Sequence, residues 1–232
     1  MRFSLIIPCY NESGNLPLLL QNCKGLATRE GVEVILVDNG STDDTPGLLA
    51  RLLPSYPGCR SIRIEVNQGY GFGILSGLRA ARGEILGWTH ADMQTDPQDC
   101  LAGLKYFETG HKEIFVKGCR FGRPAMDALF TVGMSIFETV LLARPLWDIN
   151  AQPTLFHRRF FETWTSPPND FSLDLYVYYL ARVQGLNVHR FPVHFGPRAH
   201  GVSHWNVNWI EKKKFILRTV EFSLELKRNF PK

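Results

Sequence analysis

Residues 32–46 read VEVILVDNGSTDDTP. The branched apolar run Val34-Ile35-Leu36-Val37 ends at Asp38 and gives way to a polar turn. Asp43-Asp44-Thr45-Pro46 then offers the capping side chains and the early proline that open a helix. A run this short and this continuous reads as a strand buried on both faces, the kind found in parallel sheets. Outward from it the same grammar repeats. FSLIIP (3–8), SIRIEV (61–66) and EILGWT (84–89) are brief apolar runs, and residues 15–27, 44–53 and 72–82 have helical spacing. Strands alternating with helices predict right-handed βαβ units and an α/β fold: an open, mostly parallel sheet flanked by helices.

After residue 110 the pattern loosens. EIFVKGC (113–119) reads as a strand, 125–142 as a helix, DFSLDLYVYYLARVQG (170–185) as a helix closing on Gly185, and 188–195 as a strand. At 232 residues the chain can form one large domain. The net charge of +4 is too mild to argue for nucleic acid. No stretch approaches the ~20 apolar residues of a membrane span, and MRFSLIIPCYNES meets polar residues too early for a signal peptide. Five cysteines with no CxxC pair suit reduced thiols, which points to the cytoplasm.

In open parallel sheets ligands lie beyond the carboxyl ends of the strands. Here all four of the first strands deliver polar residues to that rim: Pro8 to Glu12, Asp38 to Ser41, Asn67 to Gly71, and His90 to Asp96. Loop composition alone produces one such cluster easily; four in succession describe a site. Familiar phosphate loops do not fit. There is no GxxxxGK[ST], and in GYGFGILSG Ser76 stands where GxGxxG from Gly71 needs glycine, after the third strand rather than the first. A dehydrogenase is therefore disfavoured. Asp92 offers a carboxylate and Gln94 an amide oxygen two residues on, hard ligands that suit Mg²⁺ or Mn²⁺ completed by substrate phosphates. Asp96-Pro97 reads as the cap and first residue of the next helix.

Taken in order, IIPCYNESGNL, VILVDNGSTDDT, NQGYGFGILSGLRAARGEILGWTHADMQTDP and FPVHFGPRAHGVSHW resemble family 2 glycosyltransferases of the GT-A fold. The closest likeness is to their dolichyl-phosphate mannose synthase-like, polyprenyl-phosphate branch, over roughly residues 3–205. The resemblance implies a divalent-metal-dependent, inverting transfer from a UDP- or GDP-linked nucleotide-sugar. Pro8, Tyr10 and Glu12 would line the nucleotide pocket, Asp38 would contact base or ribose, and Gly69 would let backbone approach the nucleotide. Asp92 and Gln94 would bind Mn²⁺ or Mg²⁺, and Arg120 and Arg198 would meet the phosphates, a task the guanidinium fork suits. It also implies a division into a nucleotide-sugar-binding half (1–110), an acceptor half (111–203) and a C-terminal helix (204–232).

The chain departs from that pattern. His90 stands where the family usually has aspartate; a neutral imidazole ligates Mn²⁺ but is a poor Mg²⁺ ligand, and His90 can equally contact the nucleotide. The helix at 125–142 carries Ser135, expected to bind substrate, but few basic residues, and His204 replaces a usual lysine. These departures bear on the acceptor, a polyprenyl phosphate or alternatively a sugar hydroxyl on a lipid-linked or surface glycan. A phosphate acceptor is already ionised. A hydroxyl needs a carboxylate base, for which Asp148, Asp170 and Asp174 are candidates, although Asp170 can serve as a helix cap and Asp174 as a solvated charge. His194, His200 and His204 cluster without a cysteine and read as structural rather than as a zinc site. A non-catalytic nucleotide-sugar-binding protein is the remoter alternative. A nucleotidyltransferase would need a basic loop after the first strand, and PCYNESGN has none.

The last segment reads as a helix with two apolar stripes, Trp209, Ile210, Ile216, Leu217, Val220 and Leu224 on one and Phe215, Phe222, Leu226 and Phe230 on the other, accompanied by lysines and arginines. Such a helix suits the surface of an anionic membrane, placing the protein peripherally on its cytoplasmic face. It equally suits a dimer contact or packing into the core.

Overall fold

Because successive side chains of a strand point to opposite faces, an unbroken apolar strand must have apolar cover on both. That is what the computed structural model shows. It describes residues 2–108, 110–201 and 209–229. In chain order the elements are β1 (Phe3–Cys9), α1 (Leu16–Ala27), β2 (Val32–Asn39), α2 (Thr45–Leu52), β3 (Cys59–Ile64), α3 (Tyr70–Ala80), β4 (Ile85–Trp88) and α4 (Cys100–Leu104). They continue with β5 (Ile114–Phe121), α5 (Ala125–Leu142), β6 (Thr154–His157), α6 (Arg158–Phe161), α7 (Leu173–Val183), β7 (Asn187–His194) and α8 (Trp209–Asn229). Readings that rested on His204, on Phe230 or on the side chains of Trp209, Ile210 and Phe215 lie outside the described residues.

The seven strands form one sheet in the order β3-β2-β1-β4-β6-β5-β7. All pairings are parallel except those of β6, which runs antiparallel to both β4 and β5. On one face Leu5, Ile7 and Leu36 pack with Leu19 and Leu20 of α1 and Leu49 of α2. On the other, Ile6, Ile35 and Val37 pack with Ile74 and Leu78 of α3 and Val177 of α7. Neighbouring residues of β1 thus serve different layers, which is why the strand is apolar throughout.

Two sequence expectations need amending. The third strand begins two residues earlier than its apolar run and stops at Ile64, leaving Val66 69% exposed. And although no run reaches 20 apolar residues, α5 is 18 residues long with a mean hydropathy of 1.5, enough by length and composition to cross a membrane, yet only 17% of it is buried. The strand order places β2 and β3 on one side of β1 and β4 on the other. This reversal opens a crevice beyond the carboxyl ends of β1 and β4, the position where such sheets take their ligands.

Candidate active site

Two loops are sewn together at one side of the crevice. Asn11 adopts a left-handed conformation (φ 56°), which asparagine tolerates better than most residues. Its side-chain oxygen accepts from the backbone N–H groups of Thr42 (2.8 Å) and Asp43 (3.3 Å), and its own N–H donates to Ser41 Oγ (3.0 Å). Glu12 N–H donates to Thr45 Oγ1 and Ser13 N–H to Asp43 Oδ2. Asp38 is 2% exposed; its Oδ1 accepts from Ser41 N–H at 3.0 Å, and its Oδ2 lies 3.4 Å from Arg63, a residue 46% exposed, without a hydrogen bond. Tyr10 is 39% exposed at the crevice, while Pro8 sits half-buried beside Gly73 at the start of α3. Glu12 is half-buried and accepts from Asn15 Nδ2 at 2.5 Å. Burial pushes its carboxyl above the ordinary value; the Asn15 bond works against that, and the negative charge of Asp92 across the crevice adds to it.

Gly69 has a reason of its own in the fold to be glycine. It has φ 105°, and a Cβ there would stand 2.5 Å from the carbonyl oxygen of Asn169. Phe72 N–H donates to the same carbonyl (2.9 Å). The close approach is made by the loop before α7. Gly69→Ala is therefore expected to destabilise the fold by about 1–3 kcal/mol through backbone strain and displacement of that loop, read as a lower urea midpoint at unchanged slope.

The opposite wall is built on the turn after β4. Asp92 is 5% exposed; its Oδ1 accepts from Gln94 N–H (3.1 Å), and its Oδ2 pairs with Arg198 at 3.0 Å. Gln94 is clamped to the segment after β7: its carbonyl accepts from Gly196 N–H (2.8 Å) and its amide nitrogen donates to Gly196 O (3.2 Å). The structure thus joins Asp92 and Gln94 to the segment of Gly196 and Arg198, about a hundred residues further along the chain. His90 stacks on Tyr70 (ring centroids 5.6 Å apart), which stacks on Phe171 (4.6 Å). Burial lowers the His90 pKa, against the pull of Asp92 and Asp174, so the ring stays neutral near pH 7. Among the described residues no three His, Cys, Asp or Glu side chains converge to hold a metal, His194 and His200 included. Of the candidate ligands, Asp92 alone brings a carboxylate.

Beyond β5 the arginines gather on one anion. Asp148, 2% exposed and in a left-handed conformation (φ 48°), takes Arg120 through Nε (2.9 Å), Nη2 (2.5 Å) and the backbone N–H (2.9 Å). Arg123 and Arg190 stand 3.7 and 3.8 Å away. Burial would push the Asp148 carboxyl up, but Arg120 and then Arg123 overcome it and hold the value below the ordinary one. The carboxylate is thus engaged by Arg120 rather than turned free into the crevice. Ser135 Oγ accepts from Asp148 N–H (3.0 Å), so the serine expected at the substrate first of all fixes this hub.

The other two carboxylates are also engaged. Asp170 Oδ1 accepts from Ser172 N–H (2.9 Å) in the turn before α7, and the N-cap position of that helix is Ser172 rather than Asp170. Asp174 is not a solvated helix charge: it is 3% exposed, accepts from Gln152 Nε2 (2.6 Å) and lies 3.5 Å from Lys117 Nζ. Lys117, fully buried, donates to Thr154 Oγ1 (2.9 Å), and burial lowers its pKa to about 8. Sequence reading passed over Lys117 and Arg190. The available signal was a lysine in the middle of the apolar strand IFVKGC, since a charge in a buried strand requires a partner. Arg120 and Ser135 also line a narrow cavity of about 60 Å³, with Phe130, Met134, Glu138 and Phe171.

Comparison with known proteins follows this geometry. Residues 4–165 match the family model described as Glycosyl transferase family 2. The chain is 33% identical over 116 residues to the undecaprenyl-phosphate 4-deoxy-4-formamido-L-arabinose transferase of Serratia proteamaculans, a match covering 47% of this chain and 35% of that protein. The corresponding protein of Pseudomonas paraeruginosa is 34% identical over 100 residues, covering 41% and 29%. The aligned stretch thus spans about a third of the length of these relatives. Among solved structures, the mannosyltransferase PcManGT of Pyrobaculum calidifontis, in complex with GDP-Man and Mn²⁺, superposes with a TM-score of 0.72 at 21% identity over 97% of this chain and 64% of that one. Glucosyl-3-phosphoglycerate synthase of Mycobacterium tuberculosis, with Mn²⁺, UDP-glucose and phosphoglyceric acid, gives 0.72 at 18% identity over 100% and 81%. At such identities the likeness speaks for the fold, which is the GT-A fold of glycosyltransferases. With the family model covering well over half of its length, the chain belongs to glycosyl transferase family 2.

Proposed function

We propose that the protein is an inverting, divalent-metal-dependent glycosyltransferase that moves a sugar from a UDP- or GDP-linked donor to a polyprenyl phosphate. The observation that carries this reading is the Asp92–Arg198 pair at 3.0 Å. One carboxylate and one guanidinium, each from a loop at the strand ends, are matched to each other where a metal and a diphosphate would separate them. The donor set fits a divalent ion of the magnesium type, which commonly takes one or two carboxylates and completes its shell with phosphates and water. Asp92 would hold Mn²⁺ or Mg²⁺; His90 and Gln94, occupied by Tyr70 and Gly196, stand beside it. When bound, the ion supplies Lewis-acid stabilisation of the departing diphosphate.

The chain's own residues do the rest. Tyr10, Pro8 and Glu12 wall the nucleotide pocket. Asp38 reaches base or ribose through its unbonded Oδ2 once exposed Arg63 swings aside. Arg198 turns from Asp92 to the diphosphate, and Arg120 meets the acceptor phosphate. A phosphate oxygen attacks the anomeric carbon as the bond from that carbon to the diphosphate oxygen breaks, its electron pair leaving with the nucleoside diphosphate. The acceptor is ionised beforehand, so no base is needed. That agrees with the engagement of Asp148 by Arg120, of Asp170 by a backbone N–H and of Asp174 by Lys117, which makes a hydroxyl acceptor the weaker reading. Asp174 acts here as a positioning residue. The names of the Serratia and Pseudomonas relatives, undecaprenyl-phosphate transferases, support the acceptor class.

On this reading the protein works at the cytoplasmic face of a membrane. α8 is suited to touch that membrane, since Leu217, Leu224, Lys213 and Lys227 are exposed on it while Ser223 and Leu226 are buried. The test is thermal unfolding with UDP or GDP, with and without Mn²⁺, followed by transfer of labelled sugar to polyprenyl phosphate. A ligand at ~100 times its dissociation constant adds ~2.7 kcal/mol, so one nucleotide should raise the melting temperature only when metal is present. Nucleotide binding without transfer to any acceptor would show a non-catalytic binding protein; transfer to a glycan hydroxyl alone would remove the phosphate acceptor.

A further inference from the structure

A lysine is seldom buried completely, yet Lys117 sits in the middle of β5 with none of its surface exposed. Its ammonium donates to Thr154 Oγ1 of β6 at 2.9 Å and lies 3.5 Å from Asp174 Oδ1 of α7. Burial lowers its pKa to about 8 although Asp174 pulls the other way, so the charge is kept here at a cost. A buried pair of this kind is weak support for a fold, because apolar residues of similar volume commonly serve as well or better. The stability of the sheet therefore does not explain why β5 carries it.

What the pair touches supplies a reason. Asp174 Oδ1 also accepts from Gln152 Nε2 at 2.6 Å. Gln152 directly follows the turn that Ala151 N–H closes on Asp148 O (3.0 Å), and Gly118 N–H donates to Pro153 O (3.0 Å). A Cβ on Gly118 would collide with Gln152 O, so β5 and the segment before β6 fit without slack. On its other side Asp174 faces the phenol of Tyr70. Burial, and after it the charge of Asp174, push the pKa of that phenol well above its usual value. Tyr70 in turn stacks on His90, in the turn that carries Asp92. Neither Tyr70 OH nor Gln152 Oε1 has a hydrogen bond of its own, so the polar ends of both side chains answer to Asp174. Coupling between sites runs through contiguous bonds and packed rings such as these. We propose that Lys117 is a positioning residue for sugar transfer: by fixing Asp174 it sets the turn of Asp92, through Tyr70 and His90, against the hub of Asp148 and Arg120, through Gln152. The proposal rests on the transfer reading above, since the two ends it joins are the donor and acceptor sides of that site. Completely buried, Lys117 acts only through these neighbours.

The experiment is hydrogen exchange of residues 145–153, read by mass spectrometry, with and without UDP or GDP and Mn²⁺. The variant is Lys117→Met with Asp174→Asn. It removes both charges, nearly keeps both volumes and leaves Gln152 an acceptor, so its melting temperature and its nucleotide-induced shift should match the wild type. The expected result is exchange at 145–153 that slows when the wild type binds nucleotide and does not slow in the double variant. In the transfer assay kcat should fall at least tenfold in that variant while the donor KM stays within twofold, a split that a merely structural pair would not produce. Equal protection in the variant overturns the proposal, as does an unchanged kcat. Gln152→Met leaves the ion pair intact and covers the case of a double variant that does not fold. It should show the same two losses, and retained protection or kcat there overturns the proposal as well. A wild type that binds no nucleotide, or transfers sugar to no acceptor, sinks the functional reading and the proposal with it. A wild type that binds and transfers without any change at 145–153 sinks the proposal alone.

Discussion

Asp92→Asn should abolish the metal-dependent thermal shift with nucleoside diphosphate and lower turnover by on the order of 10³, a loss of several kcal/mol of transition-state stabilisation. Asparagine keeps the size of the side chain and can still accept from Gln94 N–H, so the turn after β4 stays in place. What is lost is the charge. The partner Arg198 is 29% exposed, so breaking the pair in the free protein should cost no more than about 1 kcal/mol. The variant should therefore fold, with a melting temperature close to the wild type, and fail as an enzyme. Retained nucleotide binding that no longer responds to Mn²⁺ would place the ion on Asp92. An unchanged response to Mn²⁺ would mean that the ion sits elsewhere, and the proposed role of Asp92 would fall.

Asp148→Asn should do the reverse, harming the fold before the chemistry. The carboxylate is 3% exposed and faces Arg120, itself 12% exposed, with Arg123 and Arg190 close by. Removing one partner of a buried pair leaves the other charge unmatched and costs about 3–5 kcal/mol. For a domain of this size that corresponds to roughly 6–20 °C in melting temperature. Asparagine is the right replacement because it tolerates the left-handed backbone at this position and leaves Ser135 its N–H partner, so the charge alone is tested. The pH dependence gives a second signature. The Asp148 carboxyl is held below its ordinary value, so its contribution is complete above the unfolded-state value of ~3.9. It fades as pH falls through the lower folded-state value. Acid unfolding of the variant should lack that part of the transition. A variant as stable as the wild type at neutral pH would show that the three arginines find water as readily as they find Asp148.

The parts of the molecule legible in the sequence were those governed by local rules. Apolar runs marked β1, β2 and β4, capping residues marked helix starts such as Asp96, whose Oδ1 accepts from Gln98 N–H, and the polar rim pointed to the crevice. β6 was not legible from periodicity: four residues, Thr154–His157, are too few to show a period, and their place between β4 and β5 is fixed by long-range pairing. His90 could not be assigned because its state depends on a ring from α3 and another from the loop before α7. Asp174 could be read either as an inward-facing carboxylate or as a solvated helix charge because its partner Lys117 lies 57 residues earlier, on another element. The contact of Gly69 with the carbonyl of Asn169 was not legible either, since residue 169 lies a hundred positions further along the chain. In each case the missing information was which distant side chain arrives.

The reversed direction of β6 has an evolutionary consequence. A strand running against its neighbours brings its beginning, rather than its end, to the rim where the parallel strands finish. Residues 145–153, which lead into β6, therefore deliver Asp148 and Gln152 to the same edge as the turns after β1, β2 and β4. The turns after β1 and β2 are held to each other, Asn11 to Thr42 and Glu12 to Thr45, and the turn after β4 to the segment after β7 through Gln94 and Gly196. If that edge receives the acceptor as proposed, changes among residues 145–153 other than the buried Asp148 and Gln152 can alter what is glycosylated while leaving the bonds between the turns after β1 and β2 in place, so that lineages can diverge in acceptor without relearning their donor.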